Sequence, residues 1–186
     1  MHKIIVISTL ALFFIACRPN IDEAKLAKID SLQNVLDSSQ QLFNKVDSVK
    51  IMKYSNHYFE NLDYVRNEYY DTVETEIAFY IDKYYGMRKA MKLMRKNYSK
   101  AKSELIISQN QLNLLTQDID NGLVEKSQLD KYLELESNNV NQVKGVVNKI
   151  YEAYDYNIQL YEEMNPRVDS IIADNKQKAR LAKANS

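Results

Sequence analysis

Apolar residues recur at alternating steps of three and four along two long stretches of this 186-residue chain. From Tyr70 to Ile119, fourteen of the fifteen positions at this spacing are apolar or aromatic, and from Val140 to Ile171 nine of ten are. Such spacing, held over several heptads, is typical of helices that pack their side chains knobs-into-holes. It predicts two long amphipathic helices, and no other feature of the sequence constrains the fold as strongly.

The segment between these stretches predicts a tight bend. It contains an Asn-Gly pair ending at Gly122, which suits a left-handed turn, and then Ser127, which suits the N-cap of the next helix. We therefore expect an antiparallel hairpin with its bend at 120–126. Partners across an αα-hairpin of this kind should have residue numbers summing to about 245. This rule sets Tyr84 beside Tyr161.

The segment from residue 21 to about residue 69 predicts a further helix, whose apolar stripe shifts after Val46. The shift leaves two places for the turn into the hairpin, one near residue 55 and one near residue 71. We prefer the later turn because it gives three helices of similar length, each about 50 residues or about 75 Å long.

Helix-breaking residues are scarce, with three glycines and two prolines in the whole chain. Pro166 lies on an otherwise continuous apolar pattern, so we expect a kink there rather than the end of a helix. The predicted fold class is all-α: an elongated antiparallel helical bundle, or coiled coil, of three long helices. Residues 21–186 form this bundle as one domain.

The N-terminus has the pattern of an export signal. A positively charged start is followed by an apolar run from Ile4 to Cys17, and a helix of that length spans about 21 Å, short of the roughly 30 Å hydrocarbon core of a bilayer. The run ends Phe14-Ile15-Ala16-Cys17. This ending resembles the lipobox of bacterial lipoproteins in the relaxed form common among Bacteroidota.

The resemblance implies cleavage before Cys17 and acylation of that residue. Residues 1–16 would then be a signal peptide, and residues 17–20 a lipidated N-terminus and short linker. Under the sorting rule of that class, Arg18 directly after the cysteine favours the outer membrane. The rule does not decide whether the protein would face the periplasm or the cell surface. The alternative is a lone cysteine in an apolar segment, since the chain has no second cysteine to pair with it.

Little in the sequence points to catalysis. Without residues 1–16 the chain has 24 Lys and Arg against 25 Asp and Glu, so its charge does not favour nucleic acid. One histidine remains, His57, which we expect to pair with Glu60 on the surface. No Glu-x-x-His motif or glycine-rich loop accompanies it. The sequence predicts a protein that is not an enzyme and uses no metal or cofactor.

Tyrosines and cations mark a candidate binding surface. All fourteen tyrosines lie between Tyr54 and Tyr161, and either the core or a binding surface would explain them. Residues 83–102 carry eight Lys or Arg and no acid, whereas residues 60–82 carry seven acids. These blocks either pair between neighbouring helices or leave the cations free for an anionic ligand. The candidate surface comprises Tyr85, Arg88, Lys89, Lys92, Arg95, Lys96, Tyr151 and Tyr156.

These features together predict a non-catalytic outer-membrane lipoprotein. Its coiled-coil domain would act as a protein-binding scaffold or spacer in the cell envelope, with the membrane and an envelope protein as its partners. The alternative is a lipoprotein that recognises an anionic glycan or lipid through the basic helix face. Whether the apolar seam is complete in one chain or recruits a second copy stays open.

Overall fold

The computed structural model describes residues 23–70 and 72–185. The predicted signal peptide at 1–16 and the linker at 17–20, with Cys17, lie outside these residues. Every regular element in the described ranges is an α-helix, which confirms the all-α prediction for them. The helices are α1 (Glu23–Phe43), α2 (Ser48–Asn67), α3 (Thr75–Tyr85), α4 (Arg88–Asp120) and α5 (Lys126–Ala184). The described residues thus form five helices where the sequence predicted three.

Helix α5 is the element that the other helices pack against. It runs for 59 residues, about 88 Å, and continues through Pro166 without ending, as predicted. Near its start Asp130 pairs with Lys25 of α1 at 2.8 Å, and near its end Asn175 bonds Tyr64 of α2 at 2.9 Å. The α1–α2 segment therefore runs parallel to α5.

A break at residues 44–47 divides the predicted first helix into α1 and α2. Asp47 caps α2, because its Oδ1 accepts hydrogen bonds from the backbone N–H of Val49 at 2.8 Å and of Lys50 at 3.0 Å. This break accounts for the shift of the apolar stripe after Val46. The alternative turn near residue 55 is wrong, since Ser55 is buried inside α2.

The chain turns back between Asn67 and Thr75, in the region of the preferred turn near residue 71. Helices α3 and α4 then follow one another with only residues 86–87 between them. Gly86 and Met87 both keep right-handed helical dihedral angles. The N–H of Gly86 still donates to the carbonyl of Asp82 at 3.1 Å. The two helices therefore extend in sequence along one side of α5.

The bend at 120–126 is confirmed. Gly122 has φ 70°, and the N–H of Leu123 donates to the carbonyl of Asp118 at 2.8 Å, which together form a Schellman C-cap. The ring centroids of Tyr84 and Tyr161 lie 6.4 Å apart, as the hairpin rule predicted. The predicted N-cap at Ser127 is wrong, because α5 already begins at Lys126.

One apolar core runs along the described helices and follows the predicted stripes. It begins at Ile29 in α1 and ends at Ile172 in α5. Its largest fully buried side chains come from α1, α2, the α3–α4 segment and α5. They are Leu36, Ile51, Tyr58, Tyr84, Met87, Met91, Met94, Leu112, Ile119, Leu133, Ile150 and Met164. The methionines of the basic block are thus needed in the core, as the heptad spacing predicts.

Candidate functional site

Six polar side chains meet between α2, α3 and α5. We call them the polar core: His57, Asn61, Tyr84, Tyr161, Asn165 and Asp169. Asn165 lies at its centre and is buried. Its Oδ1 accepts hydrogen bonds from the hydroxyl of Tyr84 at 2.7 Å and from Nδ2 of Asn61 at 3.1 Å. One buried amide oxygen therefore joins three helices.

The carboxylate of Asp169 occupies the next turn of α5. Its Oδ2 accepts from Nδ2 of Asn165 at 2.7 Å, and its Oδ1 accepts from Nδ2 of Asn61 at 2.8 Å. Nε2 of His57 lies 3.3 Å from Oδ1, while Nδ1 of His57 lies 2.8 Å from the hydroxyl of Tyr161. The structure thus places His57 against α5, and the expected surface pair with Glu60 is wrong.

The tyrosines at the polar core are held neutral. Burial raises the pKa of Tyr58, Tyr84 and Tyr161 far above its ordinary value, because a phenolate would lose its hydration there. The hydroxyl of Tyr58 donates to the backbone carbonyls of Tyr84 and Tyr85 at 3.1 and 3.2 Å. These groups therefore act as hydrogen-bond donors that hold helices together.

A second amide fixes the end of α2. Oδ1 of Asn175 accepts from the hydroxyl of Tyr64 at 2.9 Å and from the backbone N–H of Tyr70 at 2.9 Å. Its Nδ2 donates to the carbonyl of Tyr70 at 2.7 Å. Asn175 is buried and satisfies polar backbone groups that the turn after α2 leaves without helical partners. Its role is therefore to anchor this turn.

Tyrosines also join α2 to α5 at the rim of the polar core. The ring of Tyr54 stacks on that of Tyr161 at 4.6 Å, and its hydroxyl donates to Oε1 of Glu162 at 2.8 Å. Lys50 reaches the same oxygen at 2.6 Å. The hydrogen bonds from Lys50 and Tyr54 lower the pKa of Glu162. Seam tyrosines therefore bury their rings while their hydroxyls bond at the surface, which supports the core-packing interpretation for them.

The basic block is unpaired within the described part of the chain. All eight of its Lys and Arg side chains are exposed, and none belongs to an ion pair there. Of the described acids at 60–82, only Glu76 is ion-paired, and its partner is Arg167 on α5. Of the two interpretations of these blocks, ion pairing between neighbouring helices is therefore wrong for the described residues.

The structure separates the predicted binding surface into two parts. Tyr85 is 48% exposed, and the Arg88 guanidinium lies 5.5 Å from its ring centroid. On α5, Tyr156 is 67% exposed, whereas Tyr151 is half-buried with Lys45 at 5.9 Å from its ring centroid. Tyr151 therefore contacts the α1–α2 link rather than the basic block. The remaining predicted cations are exposed on α4: Lys89, Lys92, Arg95 and Lys96.

A groove between α2 and α4 extends the basic surface. Its cations are Lys53, Arg95 and Lys102, and Val49 and Met52 add exposed apolar surface. No carboxylate lies among its lining residues. Sequence reasoning missed this groove because Lys53 lies far from the basic block along the chain. The charge of Lys53 alone gives no signal that would have placed it there.

The described residues, 23–70 and 72–185, contain neither a metal-binding cluster nor a membrane-spanning helix. In that part of the chain, no group of three or more His, Cys, Asp and Glu side chains is placed to bind a metal ion. Among the same residues, no helix is long and apolar enough to span a bilayer. The polar core contains one histidine, His57, and one carboxylate, that of Asp169. Both are hydrogen-bonded to neighbouring side chains.

No protein family model, curated protein or solved structure gives a significant match to this chain. Its function is therefore inferred from its own residues and their geometry.

Proposed function

We propose that this chain is a non-catalytic outer-membrane lipoprotein whose elongated coiled-coil bundle holds or spaces other proteins of the cell envelope. The observation that carries the proposal is α5, one helix of 59 residues with the other helices packed along it. A helix of that length extends about 88 Å, which exceeds the diameter of most domains of this size. The shape is that of a spacer.

The ends of the bundle give the proposal a direction. Cys17 precedes Glu23, the first residue of α1, by six positions, and six residues of fully extended chain span at most about 22 Å. Helix α1 begins beside the start of α5, where Lys25 pairs with Asp130. Acylation of Cys17 would hold the Gly122 bend near the membrane. The α2–α3 turn would then lie away from it.

Anchoring is tested by Cys17→Ser. If the cysteine is acylated, the variant should remain unprocessed or appear in the soluble fraction, because the diacyl or triacyl anchor is lost. The measurement is membrane fractionation with mass analysis of the mature N-terminus. A variant that fractionates and matures like the native chain contradicts the lipoprotein part of the proposal.

Protein binding is tested by photo-crosslinking in intact cells with a probe placed in turn at Tyr85, Arg95 and Tyr156. Each of these side chains is exposed, so each can report a neighbour without disturbing the core. A discrete protein adduct that depends on probe position supports a docking role. The absence of any protein adduct at all three positions contradicts it.

The alternative is recognition of an anionic glycan or lipid, which the unpaired basic block and the α2–α4 groove favour. Here the triple change Lys92→Glu, Arg95→Glu and Lys96→Glu should abolish binding of an anionic glycan or an anionic lipid vesicle. High salt should do the same, since binding would depend on exposed charges. Heterogeneous glycan or lipid adducts in the crosslinking experiment would favour this alternative.

A further inference from the structure

Helix α3 exposes more apolar surface than its composition predicts. Seven of its eleven residues are apolar or aromatic, yet Tyr84 is the one buried residue of the helix. Phe79 is 75% exposed and Tyr85 is 48% exposed. Helix α3 packs chiefly against α5, which leaves its outer side without a covering element. Exposed aromatic surface of this kind commonly marks a contact with another protein.

The charge on this outer side changes sign just before Tyr85, between the exposed side chains of Asp82 and Lys83. Exposed acids precede it, among them Glu74 and Asp82, and exposed cations follow it on α4, among them Arg88 and Lys96. Residues of a helix interact with each other across three or four positions. Because the two signs occupy successive turns along α3 and α4, most of these charges lie too far apart to pair within one chain. We call residues 74–96 the charge-split face.

We infer that the charge-split face binds a second copy of the same chain, antiparallel, about a twofold axis at Tyr85. Such an isologous contact places the acidic half of each copy against the basic half of the other. Paired residues then have numbers summing to about 170, twice the number of the axial residue. Asp82 faces Arg88 of the second copy, and Glu74 faces Lys96 of the second copy. The exposed ring of Phe79 lies at the edge of the contact, about 120° around the helix from Tyr85.

Other occupants fit the observations less well. An anionic ligand would use the cations but leave the exposed aromatic side chains and acids of α3 without a role. A second copy uses the acids, the cations and the aromatic surface together. The contact extends from residue 74 to residue 96, about 33 Å of helix on each copy. It contains oppositely charged groups at both ends and aromatic rings near the centre.

This inference rests on the proposed spacer function and names its partner, a second copy of the chain. In the antiparallel pair the two Gly122 bends lie at opposite ends. From Lys126 to Tyr161, the level of Tyr84, α5 rises by 35 residues, or about 50 Å. Two anchors would then lie about 100 Å apart. The pair would hold its two anchors at a fixed separation.

The first test introduces a single cysteine at the axis. Residues 18–186 contain no cysteine and include the whole described core, Ile29 to Ile172. In this fragment, Tyr85→Cys should form a disulfide-linked dimer under mild oxidation, because the axis brings the residue next to itself. Tyr156→Cys is the matched control, since it is also exposed but lies on α5 outside the face. Equal crosslinking of both variants, or none at Tyr85, overturns the inference.

The second test exchanges charges. Variant A carries Glu74→Lys and Asp82→Lys, and variant B carries Arg88→Glu and Lys96→Glu. Each alone should be monomeric, because every predicted pair in its homodimer then joins two charges of the same sign. An equimolar mixture of A and B should regain the dimer mass, since every predicted pair is restored with opposite signs. The readout is mass by light scattering at low salt, with helicity by circular dichroism to show that each variant is folded.

The results separate the two proposals. The second-copy inference is overturned if the native fragment stays monomeric, or if variants A and B each still form the dimer alone. Docking of another protein is then decided by the crosslinking in cells. Normal fractionation of the Cys17→Ser variant overturns the anchor without affecting the dimer measurements. A mixture of A and B that dimerises while neither does alone supports the charge-split face directly.

Discussion

Removing the central amide of the polar core should destabilise the protein, and the loss should depend on Tyr84. In Asn165→Ala the fully buried hydroxyl of Tyr84 loses its acceptor, and Asn61 loses one of two acceptors. An orphaned buried hydroxyl costs about 1–3 kcal/mol, so we expect a loss of about 3 kcal/mol in the free energy of unfolding. Tyr84→Phe alone should cost about 1 kcal/mol, since Asn61 still bonds the amide oxygen.

The double variant is the informative measurement. With Tyr84→Phe already present, Asn165→Ala leaves no orphaned hydroxyl, so the two losses should fall short of additivity by about 1–2 kcal/mol. Urea unfolding followed by circular dichroism gives the four free energies. Asn157→Ala is the control, because that amide bonds to the carbonyl of Ala153 in its own helix and should cost under about 0.5 kcal/mol. Additive losses within about 0.5 kcal/mol would refute the reasoning.

Three further predictions concern stability. Alkali should destabilise the fold. Phenols of the unfolded chain ionise near pH 10, whereas burial raises the pKa of Tyr58, Tyr84 and Tyr161 in the folded state, so ionisation favours the unfolded chain only above pH 10. Each of the three tyrosines should therefore lower the free energy of unfolding by about 1 kcal/mol at pH 11. An unchanged urea midpoint between pH 9 and pH 11 would contradict this. Gly122→Ala should lower the melting temperature, costing about 1 kcal/mol, because a β-carbon is disfavoured at φ 70°. Gly145→Ala should instead raise it, stabilising by up to about 1 kcal/mol, since nothing lies within 4 Å of the new β-carbon in helix α5.

The hairpin could be predicted from the sequence because its determinants are local and periodic. Apolar spacing shows which side of a helix faces inward, and Gly122 supplies the conformation that the bend needs. Once the bend was located, the neighbour relation between Tyr84 and Tyr161 followed from counting along two helices of equal rise. The break before Asp47 has a local signal as well, the shift of the stripe after Val46, but the shift alone does not distinguish a break there from a turn near residue 55.

The polar core could not be predicted in the same way. Periodicity gives the direction of a side chain but not the identity of a polar partner more than a hundred positions away along the chain. The sequence therefore predicts that His57 pairs with Glu60, its nearest acid on the same helix face, although in the structure Nε2 of His57 lies 3.3 Å from Asp169. The cations of the candidate surface, such as Lys92, are exposed on α4. The separation of Tyr151 from them depends on how α5 rotates against α1, which sequence spacing does not fix.

The buried asparagines have a consequence for how many structures this sequence permits. Apolar layers of a long seam resemble one another, so a helix of the bundle can slide past its neighbour by a heptad with little loss of burial. The Asn61–Asn165 bond permits one register of α2 on α5, because a slide would place both amides among apolar side chains without partners. A buried polar residue of this kind lowers stability relative to a leucine while excluding the shifted alternatives. The proposed spacer function, which requires one fixed distance, would benefit from that exchange, since each heptad of slippage would change the length of the bundle by about 10 Å.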